Sequence, residues 1–282
     1  PSTAVYVAIK EPVQAQNRDR GLDRAHLLSL LDRHGSPHPQ PEATHFQGPI
    51  GRADLKWESH TEFVTYTAFS KGVSHRPFDP AEAEVLPEDW LAAAPGKCLT
   101  SVLIRVEPMP AEEAGMLALL DDWFVPESLA VSRVVDGAAI VAGDFRIDPA
   151  GHMRFAVFVR PGTGQRRLGR IVQRLCEIET YRAMSMLGLM RSRDLSGRLN
   201  ALDPRLSALV SGLDNAEPAP EAALHDLLTI SAELESLAVQ FSFRFGATAA
   251  YEAIVNQRIE VMREQRIHGR QTFGEFMMRR YD

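Results

Sequence analysis

The chain changes character at Pro161-Gly162. Before that point, short β-branched and apolar runs alternate with Gly, Pro, Asp and Asn turn residues. After it, apolar residues recur at three- and four-residue spacing almost to the end of the chain. A period of two and a period of 3.6 cannot be served by the same backbone. The expected fold class is therefore α+β: a mixed, mainly antiparallel sheet with flanking helices, followed by a long antiparallel helical hairpin. The expected domains are a sheet domain over 1–162 and the hairpin over 163–282.

Strands are expected over 2–10, 98–108, 129–135, 138–147 and 152–160, with turns at Asp136-Gly137 and Pro149-Ala150-Gly151. Segment 52–70 reads as one long strand or as a hairpin, which makes six or seven strands. Asp144, Arg146 and Asp148 alternate with Phe145 and Ile147, so they are expected on an ion-paired, solvated face. Helices are expected over 22–35, stopped by Gly35, and over 111–124. Segment 78–96 reads as two helical turns broken at Pro87, with Trp90 and Leu91 inward. Pro204 is expected to kink or restart the first hairpin helix, and 214–222 to form the turn between the two arms.

The chain has 282 residues, 45% hydrophobic and 24% charged, ordinary values for a soluble globular protein. It holds no run of 18 apolar residues and no signal peptide, and it begins at Pro1, as a fragment or processed product would. Cys98 and Cys176 form no CxxC and are expected as two buried thiols, which suits the cytoplasm. Residues 1–162 carry 15 basic and 22 acidic side chains, and residues 163–282 carry 16 and 15. Neither half has the basic excess that nucleic-acid binding needs.

"LKWESHTEFVTYT" (55–67) is the densest group of chemistry-bearing residues. On one continuous strand Lys56, Glu58, His60 and Glu62 share a face. Glu58, His60 and Glu62 would then be candidate metal ligands, since imidazole and carboxylates suit borderline and hard ions. In a hairpin, Ser59-His60-Thr61 is the turn and the two glutamates flank it. "RPGTGQRRLGR" (160–170) sits between a strand and a helix but lacks both the P-loop ending and GxGxxG spacing. Thr163 is read there as a helix N-cap, with Arg166 and Arg167 opposing the helix dipole. His34, His38 and His45 are read as surface histidines. No catalytic residue and no cofactor is assigned.

Six stretches carry a family resemblance: "LKWESHTEFVTYT", "DRAHLLSLLDRHG", "DWLAAAPG", "SRVVDGAAIVAGDFRID", "GRIVQRLCEIETYRAMSMLGL" and "RIEVMREQRIHGRQTFGEFMMRR". Together the chain resembles a bacterial family catalogued as domain of unknown function 3422, whose members are predicted to be membrane-anchored. The resemblance implies a longer protein, with C-terminal hydrophobic segments beyond residue 282. The five arginines between Arg263 and Arg280 would suit a segment approaching the cytoplasmic face of a bacterial inner membrane. The expected function is non-enzymatic: a homo-oligomeric cytoplasmic domain of a membrane-anchored protein, acting through self-association and partner or ion sensing. One alternative is the soluble domain of a CorA-like divalent-cation transporter, which shares the plan of an α/β domain and a helical hairpin. The other is a metal-dependent enzyme using Glu58, His60 and Glu62.

Overall fold

The computed structural model describes residues 1–11, 18–214 and 220–281. The turn expected over 214–222 lies mainly outside them. The chain forms two compact units, Pro1–Thr180 with Asn256–Asp282, and Tyr181–Val255. Position 162/163 lies inside the first of these units. The near ends of both long helices bury their apolar residues with the sheet and belong to its unit.

In the first unit the elements run β1 (Ser2–Lys10), α1 (Arg20–Arg33), β2 (His45–Ile50), β3 (Ala53–Ser59) and β4 (Phe63–Lys71). A 3-10 helix (Pro80–Val85) and α2 (Glu88–Ala92) follow, separated at Pro87. Next come β5 (Lys97–Pro108), α3 (Glu113–Trp123), β6 (Ala130–Val134), β7 (Ala139–Gly143) and β8 (Met153–Val159). The long helices α4 (Gln165–Asp214) and α5 (Pro220–Met262) lead to β9 (Gln265–Arg266) and α6 (Phe273–Tyr281). Among the described residues the sheet has nine strands, ordered β2-β3-β4-β1-β5-β8-β7-β6-β9. β5 and β8 pair in parallel, and the other neighbours are antiparallel.

β1 is buried from Thr3 to Lys10. Its near-continuous apolar run reflects burial on both faces of the sheet. Val5, Val7 and Ile9 join Leu27, Leu30 and Leu31 of α1 and Trp57, Tyr66 and Trp90 in one core. On the other face Tyr6 meets α4: its hydroxyl lies 2.5 Å from Thr180 Oγ1, which donates to the Cys176 carbonyl. Helix α1 starts at Asp19, whose carboxylate accepts from the backbone N–H of Gly21 and Leu22.

β2 and β9 were not expected. β2 carries Gly48 and Pro49, which read as loop but are tolerated on the edge strand it forms. The solvated face expected at Asp144 is also overturned. β7 ends at Gly143, and Phe145 takes φ +53°, which breaks the alternation. Asp144 is fully buried, paired with Arg154 at 3.2 Å and accepting from the backbone N–H of Val125 and Arg146. Gly143 is required here: a Cβ would stand 2.4 Å from the Phe155 ring. Cys98, expected inside, is exposed, because β5 begins well before β8 starts to flank it at Val102.

The C-terminal segment does not run on as a helix. β9 pairs with β6, and Gln271 bridges to Ala130. Phe273 and Phe276 of α6 pack on Phe145, with ring centroids 5.1 and 4.3 Å away. The half-buried Glu264 carboxylate accepts from the backbone N–H of Phe273 and Gly274, where the helix dipole favours an anion. Four arginines of this segment have partners in the chain itself: Arg263 with Asp136, Arg266 with Glu275, Arg270 with Asp121 and Arg279 with Gln271.

In the second unit α4 and α5 lie antiparallel. Arg205 pairs with Glu233 at 3.0 Å and Arg198 donates to Gln240 at 3.3 Å, so partner numbers fall as α4 advances. Leu202, Leu237 and Phe241 form the seam, flanked by Leu195 and Phe245. Gly188 lets Thr248 close in; a Cβ there would meet its Oγ1 at 2.2 Å. α4 continues through Pro204 without restarting.

Trp57 sits at 2% exposure in the main core. Trp57→Ala is expected to destabilise the protein by ~3–5 kcal/mol, read as a lowered urea midpoint at unchanged slope.

Candidate functional site

The stretch 55–67 forms a hairpin. β3 and β4 pair antiparallel from Ala53↔Ser70 to Ser59↔Val64, and the His60 N–H donates to the Phe63 carbonyl across the turn. The continuous-strand reading is thereby excluded. Lys56 and Glu58 still share a face of β3, with Lys56 Nζ 2.9 Å from Glu58 Oε2. Glu62 has gone elsewhere: its carboxylate meets Lys10 Nζ at 2.9 Å, and both side chains are buried. His60 lies at the turn with its ring stacked on Phe63, centroids 4.5 Å apart. Among the described residues, no group of three or more His, Cys, Asp and Glu side chains is placed to hold a metal ion. Glu58, His60 and Glu62 are thus distributed over two ion pairs and a ring stack.

The turn is braced from α1. Arg18 Nε lies 2.5 Å from Asp23 Oδ2, with both side chains buried. Arg18 Nη2 donates to Ser59 Oγ and to the His60 carbonyl. Burial pushes the Asp23 carboxyl up, and the Arg18 charge partly offsets this. Burial lowers the pKa of His60, so its imidazole favours the neutral form, while Glu58 pulls the other way.

Below the turn lies an aromatic cluster. His26 stacks on Trp90 with centroids 4.0 Å apart. Its Nε2 is 2.9 Å from the Trp90 carbonyl, and its Nδ1 is 3.0 Å from the Tyr66 hydroxyl. A carbonyl only accepts, so Nε2 carries the proton and Tyr66 donates to Nδ1. Burial lowers the His26 pKa and raises that of Tyr66.

The opposite face of the sheet carries a polar seam with α4. Thr100 donates to Glu179 at 3.0 Å, beside the Tyr6–Thr180 contact. Burial pushes the Cys176 thiol up, favouring its protonated form. Glu177 accepts from Gln173 at 2.8 Å, pairs with Arg258 of α5, and its field reaches His60. Glu177 and Arg258 escaped the reading of the sequence. The available signal was the spacing of Arg167, Arg170, Arg174 and Glu177, a charged stripe opposite the apolar face of α4. Thr163 is no side-chain acceptor for the helix start; its hydroxyl donates to the Ala138 carbonyl. His38, read as a surface histidine, lies 2.6 Å from Asp32.

A family model described as a protein of unknown function (DUF3422) matches residues 1–282. No curated protein and no solved structure matches the chain.

Two outcomes test these assignments. Glu62→Gln removes the carboxylate charge that faces the buried Lys10 ammonium and is expected to cost ~3–5 kcal/mol. The Lys10→Met, Glu62→Leu double variant is expected to lose less, measured by urea denaturation. His26 takes up a proton near pH 6.5 when unfolded and only at lower pH when folded. Its contribution is therefore present above that value and lost as pH falls through it towards the folded pKa. The slope of unfolding free energy against pH in that window is expected to be shallower in His26→Gln than in the wild type.

Proposed function

The chain belongs to this DUF3422 family, and we propose that it is an association module whose helical pair, α4 with α5, binds the same pair of a second copy. The observation that carries this reading is an apolar stripe on α5. Leu224, Leu228, Val239 and Phe243 are 57%, 61%, 76% and 52% exposed. At ~100° per residue they fall within about a 100° arc, opposite the face that Leu237 and Phe241 turn to α4. Two helices bury little apolar area, and a second pair completes the two-layer arrangement of a four-helix bundle. The charges favour a second copy as the occupant. Residues 181–214 hold five arginines against three acids, and residues 220–255 hold five acids against one arginine. An α4 surface thus complements an α5 surface of another copy.

The family resemblance supports placing this module at the cytoplasmic face of a bacterial inner membrane, as part of a membrane-anchored protein. Among the described residues, no helix is long and apolar enough to cross a membrane. The anchor on this reading is a separate segment.

Light scattering of the 1–282 chain is expected to give a dimer or larger. Val239→Glu with Phe243→Glu is expected to give a monomer of unchanged helical circular dichroism. A wild-type monomer at every concentration up to the limit of solubility would sink the proposal.

A further inference from the structure

Three neighbouring arginines of α4 make no ion pair among the described residues. Arg167, Arg170 and Arg174 line one side of a groove of about 570 Å³, and Gln257, Glu260 and Arg263 line the other. Among the described residues Arg167, Arg170 and Arg174 make no ion pair and no side-chain hydrogen bond. Arg263 is already shared with Asp136 at 2.8 Å, and neighbouring Arg258 is taken by Glu177. Glu260 is the one carboxylate in the groove, and it forms no ion pair with the arginines. Arg174 is partly buried, which disfavours its charge; Arg170, Arg258 and Arg263 add to that, and Glu177 offsets part of it. Like charges gathered in a concave, partly desolvated place repel one another, and a bound anion relieves that cost.

We infer that this groove is a binding site for a multiply phosphorylated anion. The spacing sets the ligand class. Arg167, Arg170 and Arg174 stand at i, i+3 and i+7, so they form one row about 10 Å long at 1.5 Å of rise per residue. A single phosphate or carboxylate spans too little of that row. Two or more phosphate groups in sequence engage it fully, each guanidinium offering a planar fork of donors. The site lies within the sheet-containing unit and is independent of the association surface on α5. Glu260 weakens anion binding and selects against ligands that place a phosphate on the α5 side.

The shared chemistry, closely spaced phosphates, can come from a soluble polyphosphate or from a phospholipid surface. Isothermal titration of the 1–282 chain with inorganic triphosphate, and co-sedimentation with phosphatidylglycerol/phosphatidylcholine vesicles, separate the two. The exposed pair Arg167→Ala with Arg170→Ala leaves the packed residues untouched and is expected to weaken binding at least tenfold. Arg174→Lys keeps the charge, loses the fork and is expected to weaken it less. Glu260→Gln is expected to tighten it severalfold. Triphosphate binding with that variant order supports a soluble ligand. Vesicle binding with the same order, displaced by triphosphate, supports the lipid source. No binding in either arm overturns the site, as does binding that the arginine pair and Glu260→Gln leave unchanged at matched ionic strength. Circular dichroism of each variant keeps misfolding apart from lost binding.

Discussion

Strand β1 has no solvent face. On one side Val5, Val7 and Ile9 meet the apolar surface of α1 and the tryptophans. On the other, Tyr6 and Lys10 enter a layer closed by α4 and the hairpin turn, where every polar group needs a partner. The two sides obey different rules. The apolar side tolerates repacking so long as volume is conserved. The polar side demands register, because Tyr6 must reach Thr180, Thr100 must reach Glu179 and Lys10 must reach Glu62. These bonds fix where α4 lies along the sheet, and with it the row of arginines on the outer surface of that helix.

Charged residues in this chain meet three fates. Some are buried in pairs, as Lys10 with Glu62 and Arg18 with Asp23, where they hold the hairpin turn against β1 and α1. Some pair at the surface and fasten a segment, as Arg266 ties β9 to Glu275 of α6 and Arg270 ties the link between them to Asp121 of α3. A third group, Arg167, Arg170 and Arg174 of α4, is gathered in a groove without an ion pair among the described residues. Carboxylates and a histidine crowded in sequence look like the most chemical part of the chain. Here Glu62 belongs to the first fate, Glu58 pairs with Lys56 nearer the surface and His60 stacks on Phe63, while three helix arginines are brought together.

The C-terminal return shows how one charge pattern can serve two ends. Arginines near the end of a chain suit a membrane approach, and they suit equally a segment that finds acidic partners within its own unit. The decisive residues are apolar and buried. Phe273 and Phe276 seat on Phe145, and Glu264 caps the helix that carries them. Phe145 can receive them because its left-handed backbone turns the chain out of β7.

Much of the architecture was legible in the sequence by itself. The switch in apolar period at Pro161-Gly162 determined a sheet followed by two long antiparallel helices, because side-chain periodicity is a local property of the backbone. Asp136-Gly137, Pro87 and Gly35 placed their breaks for the same local reason. The edge strands β2 and β9 were not legible, since pairing with a neighbour, and not residue preference, makes them strands. Nor was the fate of Asp144, whose burial follows from a backbone turn one residue later. Spacing within 55–67 offered two geometries for Glu58, His60 and Glu62. Only the tertiary structure chose between them, because Lys10, the partner that claims Glu62, lies fifty-two residues away in sequence. Which charges are neutralised is a question about long-range neighbours, and a sequence lists only near ones.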